Sequence, residues 1–222
     1  MSKLKHSYSS ISMFDQCPRR YYYQRVAKSV VDPGSEASIY GNRVHKSLED
    51  RLRDGMALPA ELQKHEDKCV AIKNLGGNLT PEKELCATRD YVATGWWDAD
   101  VWFRGKLDVF VEKGKRAVIL DWKTGKRKPN FFQLRLNALH TFMQYPLVKD
   151  ISTGFVWLKD NLIDRENYTR DQLPAMVEEL EEKIGRIEEA EELGVWQAKP
   201  GPLCGWCPAQ DICEFADKRR RR

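Results

Sequence analysis

The sequence predicts an α/β fold in which a mixed sheet is covered by helices. Helical periodicity dominates the two ends of the 222-residue chain, and strand-like segments cluster between them. Along the chain, helical segments come first, then three strands, a helix, a further strand and a long helix. Helices that alternate with strands can cover the faces of a sheet, and this order is the basis of the prediction.

Two helices are predicted in the N-terminal part of the chain. The first covers SYSSISMFDQCPRRYYYQRV, where Ile11 and Phe14 fall at helical spacing behind serines that can cap a helix. The second covers IYGNRVHKSLEDRLRDG and ends at Gly55. Residues 56–80 are polar and favour neither helix nor strand.

The central segments KELCATRDYV, DVWFRGKLDVFVE and RAVILDWK are rich in β-branched and aromatic residues and are predicted to be strands. A helix over NFFQLRLNALHTFMQY and a strand over STGFVWLKD follow. The last helix, DQLPAMVEELEEKIGRIEEAEEL, is amphipathic. Asp171 is predicted to cap it, because Pro174 then lies in the first turn, where its missing N–H costs little.

Length and composition suit a single domain of ordinary size. The formal charge is +4, but residues 218–222 are all basic, so the remainder is slightly acidic. No apolar stretch is long enough to span a membrane, and the N-terminus lacks the apolar core of a signal peptide, so we expect a cytoplasmic protein without a membrane partner. We expect one domain over 1–222, divided into a helical part (about 8–80), a catalytic core (about 81–160), a C-terminal helix with a cysteine cluster (about 168–215) and a basic tail (218–222).

The segment AVILDWKTGK ends an apolar strand with an acid and a lysine. Period-2 alternation places Asp121 and Lys123 on the same face of that strand. If the intervening KGKR forms a hairpin loop, Glu112 pairs with Ala117, and the same register places Asp108 opposite Asp121. The alternative interpretation is a pair of surface acids beside a turn, with Lys123 in a salt bridge.

Two facing carboxylates repel each other, and a divalent cation removes that repulsion. Carboxylate oxygens are the ligands that Mg²⁺ or Mn²⁺ prefer, and Mg²⁺ usually keeps waters and binds phosphate as well. Such a metal can generate hydroxide and stabilise the charge on a phosphodiester under attack. Lys123 could orient the water or offset charge on the phosphate.

A second constellation consists of cysteines near the two ends of the chain. Cys204, Cys207 and Cys213 form a C-x₂-C-x₅-C motif, and Cys17 lies near the other terminus. Four thiolates can hold a [4Fe–4S] cluster or a tetrahedral zinc ion, and the spacing leaves both open. Cys69 and Cys86, which lie outside the motif, are interpreted as buried thiols.

These segments resemble the PD-(D/E)XK nuclease superfamily, and within it the RecB-like branch. GNRVHKSLE resembles the G-x-x-x-H helix of that branch, RGKLDVF its G-x-x-D strand, LDWKTGK its D-[YW]-K-T-G motif and FFQLRLNA its Q-x-x-x-Y helix. The matched pieces occur in order over about residues 8–215. The resemblance implies a restriction-endonuclease-like core, in which a central mixed sheet is flanked by helices.

The resemblance also implies residue roles. The metal, Mg²⁺ or Mn²⁺, would be held by His45, Asp108, Asp121 and the backbone carbonyl of Trp122. Lys123 would be catalytic together with the two aspartates, and Gln133 would support the site. Glu84 is a further carboxylate that could point toward it. Position 137 departs from the pattern, because it is asparagine where the family usually has tyrosine; Asn137 remains a candidate DNA contact.

The arrangement of one cysteine plus three resembles iron–sulfur nucleases of the same superfamily, such as the AddB-type and CRISPR-adaptation enzymes. It implies a structural [4Fe–4S] cluster on Cys17, Cys204, Cys207 and Cys213 that joins the N- and C-terminal segments, with zinc as the alternative. Arg19 and Arg20, in the aromatic-rich RRYYYQR, are candidate DNA contacts.

The sequence therefore predicts a metal-dependent DNA nuclease, an exonuclease acting on single strands or duplex ends, in recombination or repair. A helicase or recombination partner is compatible with the resemblance and is not visible in the sequence. Two alternatives are a catalytically idle iron–sulfur subunit that binds DNA or assembles with partners, and a nuclease that cuts internally.

Overall fold

The computed structural model of the protein describes residues 4–216, so the predicted basic tail of residues 218–222 lies outside the described residues. The α-helices are α1 (Tyr8–Gln16), α2 (Pro18–Tyr21), α3 (Glu36–Arg53), α4 (Glu66–Lys73), α5 (Phe131–Gln144) and α6 (Leu173–Leu193). The strands are β1 (Asn78–Ala87), β2 (Phe103–Lys113), β3 (Arg116–Lys123), β4 (Asp150–Trp157) and β5 (Leu162–Thr169). Short helical turns cover Tyr22–Val26, Ala60–His65, Arg170–Gln172 and Pro202–Trp206.

The chain divides into two compact units. The sheet unit comprises residues 35–177, and the terminal unit comprises, of the described residues, 4–34 together with 178–216. None of the helices within residues 4–216 combines the length and the apolar character needed to cross a lipid bilayer.

The sheet unit contains a mixed sheet with the strand order β1-β2-β3-β4-β5. The pair β3–β4 is parallel, and the other neighbouring strands are antiparallel. A parallel pair needs a crossover connection, and α5 lies in the connection between β3 and β4. The prediction of an α/β fold with a mixed central sheet is confirmed.

The β2–β3 hairpin has the predicted register. Glu112 pairs with Ala117, and the ladder continues to Val109 and Leu120. The loop is shorter than the predicted four residues, because Lys113 and Arg116 also pair. Gly114, in the remaining two-residue turn, has φ 61°, a conformation in which glycine is unstrained.

Helices pack against both faces of the sheet. On one face, Val44 and Leu48 of α3 and Ile72 of α4 join a buried cluster with Val109 and Trp122. The alternating position Phe110 faces the α5 side, where it contacts Tyr145 at the C-cap of that helix. Strand periodicity explains this division, because successive side chains point to opposite faces.

Three local predictions differ from the structure. The first predicted helix is interrupted at Cys17, which is extended (φ −163°, ψ 106°) because Pro18 disfavours a helical conformation in the residue before it. The predicted cap Asp171 lies inside a helical turn that begins after Thr169, whose N–H donates to Oε1 of Gln172. Strand β5 was not predicted, because its mostly polar sequence, LIDRENYT, lacks an apolar stripe.

Candidate active site

The site lies where β2 and β3 separate. The regular ladder between them ends at Val109 and Leu120. One step further along the register, Asp108 and Asp121 are opposite each other, and the backbone N–H of Trp122 donates to Oδ2 of Asp108 at 2.8 Å. The carboxylate of Asp108 thus bonds the backbone of β3 at the point where the regular ladder has ended. The candidate site lies at this point, between the two strand ends.

Asp121, Lys123 and Gln133 form a closed network. Nζ of Lys123 lies 2.7 Å from Oδ2 of Asp121 and donates to Oε1 of Gln133 at 2.9 Å. Nε2 of Gln133 donates to Oδ1 of Asp121 at 2.6 Å. Gln133 is placed by α5, whose N-cap Asn130 accepts the N–H of Phe132. The helix therefore fixes the acid and the lysine at the strand end through one amide.

A histidine and a third carboxylate complete the cluster. Nδ1 of His45, on α3, lies 3.3 Å from Oδ2 of Asp108. Ligand atoms of His45, Glu82 and Asp108 all lie within 4.8 Å of one another, close enough to share one metal ion. Glu82 also forms an ion pair with Lys106 at 2.7 Å.

Glu82 is the functional candidate that the sequence interpretation missed. The β1–β2 register places it opposite Asp108, between the pairs Pro81–Val109 and Lys83–Leu107. Its φ of 54° is unusual for a residue other than glycine. Glu84, the carboxylate suggested by the sequence, is exposed on the same strand. Only the register between β1 and β2 distinguishes the two glutamates.

Burial and mutual repulsion perturb the ionisation of the site. Burial and the nearby charge of Asp108 raise the pKa of Asp121, and the Lys123 ammonium offsets only part of this shift. Burial also raises the pKa of Glu82, against the hydrogen bond from Lys106. Burial lowers the pKa of His45, but the hydrogen bond and charge of Asp108, with Asp121 and Glu82, outweigh it, so that the net shift is upward. A cation would satisfy this concentration of negative charge.

The other predicted residues of the sheet unit lie in two different environments. The side chain of Trp122 is buried in the cluster formed with α3 and α4, so only its backbone is available to the site. Asn137 is 6% exposed on α5, and its Nδ2 has no hydrogen-bond partner among the described residues. Its burial leaves little surface for a direct DNA contact.

In the terminal unit, the two candidate arginines are held by acids. Arg19 donates to Glu214 at 3.1 Å and lies over the ring of Phe215, and Arg20 donates to Asp32 at 3.2 Å. These side chains are about one quarter exposed, so a phosphate could compete with their partners.

The terminal unit also brings the four predicted cysteine ligands to one place. A cavity of about 30 Å³ is lined by Cys17, Cys204, Cys207 and Cys213. The backbone N–H of Lys199 donates to Sγ of Cys17 at 3.4 Å, and the N–H of Gly201 donates to Sγ of Cys204 at 3.3 Å. Cys69, by contrast, is buried in the sheet unit, and burial raises its pKa to about 11.

A carboxylate pair, a lysine and a glutamine at diverging strand ends are the arrangement that the sequence resemblance implied. The sequence profile of the PD-(D/E)XK nuclease superfamily matches residues 5–214, nearly the whole chain. The chain belongs to the PD-(D/E)XK nuclease superfamily. This PD-(D/E)XK protein is thus a member of a superfamily of nucleases that hydrolyse phosphodiester bonds.

One solved structure shares the fold of this PD-(D/E)XK protein at low sequence identity. A candidate exonuclease from Eubacterium rectale superposes with a TM-score of 0.56 at 13% identity, covering 99% of this chain and 89% of the other. A protein described only as SSO0001 has a TM-score of 0.49 at 13% identity, with 97% and 89% covered. Comparison with curated proteins gave no match.

Proposed function

We propose that the protein is a Mg²⁺- or Mn²⁺-dependent deoxyribonuclease of the RecB-like branch, an exonuclease that acts on single strands or duplex ends. The observation that carries the proposal is the convergence of His45, Glu82 and Asp108 beside the Asp121–Lys123–Gln133 network. The comparison with the candidate exonuclease is compatible with this activity.

The donor set fits a hard divalent cation. Asp108, Asp121, His45 and the backbone carbonyl of Trp122 would hold it, and Glu82 is a further ligand that the geometry supplies. The bound cation would supply a nucleophilic hydroxide and offset charge on the phosphate. The carboxylates are held in place before any ion binds, because the Trp122 N–H fixes Asp108 and Gln133 fixes Asp121.

Lys123 is proposed to orient the attacking water or to offset charge on the phosphate. Its side chain is about 30% exposed, and its ammonium lies 4.9 Å from the centroid of the Phe155 ring and has two oxygen partners, on Asp121 and Gln133. An ammonium held in this way needs little reorganisation when negative charge develops on the phosphate. Gln133 acts as a positioning residue, since it bonds both reacting side chains and remains neutral.

We further propose that Cys17, Cys204, Cys207 and Cys213 hold a structural [4Fe–4S] cluster. Support comes from the single cavity that the four thiols line and from the two backbone N–H groups directed at sulfur. Zinc is less well supported. Zn–S bonds of about 2.3 Å would place tetrahedral ligands about 3.8 Å apart. Within residues 4–216, no three cysteine sulfurs lie within 4.8 Å of one another.

Three further expectations stay predictions. They are DNA contacts by Arg19, Arg20 and Asn137, a helicase or recombination partner, and a single functional domain over 1–222. Arg19 and Arg20 are supported by their partial exposure, and Asn137 is weakened by its burial.

The nuclease proposal is tested by digestion of end-labelled DNA with Mg²⁺, Mn²⁺ or EDTA. We expect single strands and duplex ends to be degraded with either metal and a covalently closed circular strand to survive. Lys123→Ala and Asp121→Asn should lower the rate at least about a hundredfold, because each removes a group acting on the transition state. An RNA strand of the same sequence tests the preference for DNA.

Lys115→Ala is the matched control, since Lys115 lies in the hairpin turn at the other end of β3. It should cut at the wild-type rate. Circular dichroism of each variant establishes that the fold is retained. Near-normal cutting by Lys123→Ala would refute the mechanism, and cutting of the circle would replace the exonuclease by an internally cutting enzyme.

A further inference from the structure

A second cavity, of about 130 Å³, lies in the sheet unit near the candidate active site. Its polar lining consists of Tyr40, Lys64, His65, Thr124 and Lys159, and its apolar wall is formed by two buried side chains, Val44 and Leu158. We call this cavity the basic pocket. Its volume is enough for several water molecules or for one small anion.

The lining of the basic pocket is cationic. Lys64 and Lys159 are both exposed at its rim, and no carboxylate is among the described residues that line it. The hydroxyl groups of Thr124 and Tyr40 add hydrogen-bond donors to the two ammonium groups. Several donors of this kind around one small space are suited to a phosphate group.

His65 provides an independent reason to expect a ligand. It is 4% exposed, and its Nδ1 has no hydrogen-bond partner among the described residues. Burial, with the charges of Lys68 and Lys64, lowers the pKa of His65, so the ring is neutral at pH 7. A buried polar atom without a partner is unfavourable, and a ligand oxygen in the pocket would accept a hydrogen bond from it.

Two chain connections place the basic pocket next to the catalytic cluster. Val44 directly precedes His45 on α3, and Thr124 directly follows Lys123. The two segments also touch each other, because a Cβ added to Gly41 would lie 3.2 Å from Oγ1 of Thr124. Consecutive Cα atoms are about 3.8 Å apart, so the lining of the basic pocket continues directly into the residues of the catalytic cluster.

We propose that the basic pocket binds a second phosphate group of the substrate strand, next to the one that is cleaved. This inference rests on the proposed nuclease function and adds to it a contact that sets the register of the strand. The phosphate is either an internal diester or the terminal monoester at a strand end, and both present the same oxygen acceptors.

The first test is the binding of a 3′-labelled 20-nucleotide DNA strand in EDTA, measured by fluorescence anisotropy over a range of NaCl concentrations. The variant is Lys64→Ala/Lys159→Ala. We expect affinity at 50 mM NaCl to fall roughly fivefold or more, and the slope of log K against log [salt] to decrease by about 0.7, the value for one contact to a single strand. Lys64→Arg/Lys159→Arg should restore both quantities.

The matched control is Lys73→Ala/Lys115→Ala. These two lysines are also exposed on the sheet unit, but they do not line the pocket. The control should retain wild-type affinity. An equal loss in the control would indicate general attraction of the strand and would overturn the inference.

The second test locates the phosphate. Single internucleotide linkages are replaced by uncharged methylphosphonates, and cleavage with Mn²⁺ is measured under single-turnover conditions. Replacement of one linkage beside the cleaved one should lower the cleavage rate of the wild type. The same replacement should not lower the rate of Lys64→Ala/Lys159→Ala any further. If the pocket binds the terminal monoester, removal of the 5′- or 3′-phosphate should instead slow cleavage by the wild type. The same removal should not slow Lys64→Ala/Lys159→Ala any further.

The two proposals fail in different ways. A wild-type protein that neither binds nor cuts strands would overturn both the nuclease function and the basic pocket. The proposal for the basic pocket alone would be overturned by a different result. In that result the wild type binds and cuts strands, but every replaced linkage or removed terminal phosphate slows the wild type and Lys64→Ala/Lys159→Ala equally.

Discussion

At the scale of single residues, the unusual backbone of Glu82 coincides with its place in the cluster. A left-handed conformation in a residue other than glycine costs about 1–3 kcal/mol and persists only where surrounding structure enforces it. Glu82 has φ 54° on an otherwise extended strand, and its carboxylate lies beside His45 and Asp108. The conformation therefore supports a role for Glu82 in metal binding.

Glu82→Gln should weaken Mn²⁺ binding about tenfold, because it removes one negative oxygen ligand from the cluster while preserving the shape of the side chain. Glu84→Gln is the matched control, two residues along the same strand and exposed, and it should change the Kd less than twofold. Isothermal titration calorimetry measures both. Equal effects in the two variants would contradict the assignment of Glu82.

A second residue, His140, is buried without any role in the proposed chemistry. It stacks on Phe103 with ring centroids 4.2 Å apart, and neither ring nitrogen has a hydrogen-bond partner among the described residues. A Cβ added to Gly105 would lie 3.3 Å from its Cδ2, so the ring fits closely against the sheet. Burial lowers the pKa of His140 to about 3.

This burial makes stability depend on pH. Below about 6.5, the unfolded chain protonates His140 while the folded chain does not, so stability falls as the pH falls, until the pH reaches about 3. His140→Leu removes this dependence. Denaturant titrations between pH 7 and pH 4.5 should show the wild type losing more stability than the variant, with a difference in slope that reaches about 1.4 kcal/mol per pH unit below about pH 5.5. Parallel pH curves would indicate that His140 is not buried in the neutral form.

At the scale of elements, the β1–β2 pairing begins at a tight approach of two backbone segments. Gly77 precedes β1 with φ 97°, and a Cβ there would lie 2.3 Å from the carbonyl oxygen of Glu112. Gly114, in the β2–β3 turn, has φ 61° and open space around its Cα. Both glycines need the left-handed region, but only Gly77 also excludes a side chain.

The two glycines separate conformational strain from steric overlap. Gly114→Ala should lower the free energy of unfolding by about 1–2 kcal/mol, the cost of the left-handed conformation. Gly77→Ala should cost about 1–3 kcal/mol more, because the backbone of Glu112 must move. Urea denaturation measures both values. Equal losses would show that the approach of Gly77 to Glu112 adjusts without cost.

At the scale of the whole molecule, residues from both ends of the chain form one compact unit. Within the terminal unit, Lys183 donates to Asp15 at 2.8 Å, and Trp196 stacks on Tyr21. The proposed cluster would link Cys17 to Cys204, Cys207 and Cys213, which closes a very long loop of chain. Such a link restricts the unfolded ensemble, and ligand binding adds its own free energy to folding.

Cys204→Ser should therefore yield colourless protein with reduced stability and solubility, because one ligand of the proposed cluster is lost. Cys69→Ser is the matched control, a buried thiol in the sheet unit that should keep the iron content of the wild type. Iron, acid-labile sulfide and zinc are measured after anaerobic purification. One zinc without sulfide would replace the cluster by a zinc ion, and neither metal in active protein would refute both.

The sequence by itself determined the parts of the site that depend on local geometry. The short connection between β2 and β3 leaves few registers open, so the opposition of Asp108 and Asp121 followed from counting residues away from the turn. Strand alternation placed Asp121 and Lys123 on one face, and their side chains are 2.7 Å apart.

Only the tertiary structure decided the parts that depend on distant segments. The long connection of residues 88–102 does not fix the register between β1 and β2, so the sequence could not choose between Glu82 and Glu84. The basic pocket likewise combines α3, the turn Ala60–His65 and the ends of β3 and β4, which no local pattern relates. Long-range packing sets these contacts, and local periodicity carries no information about it.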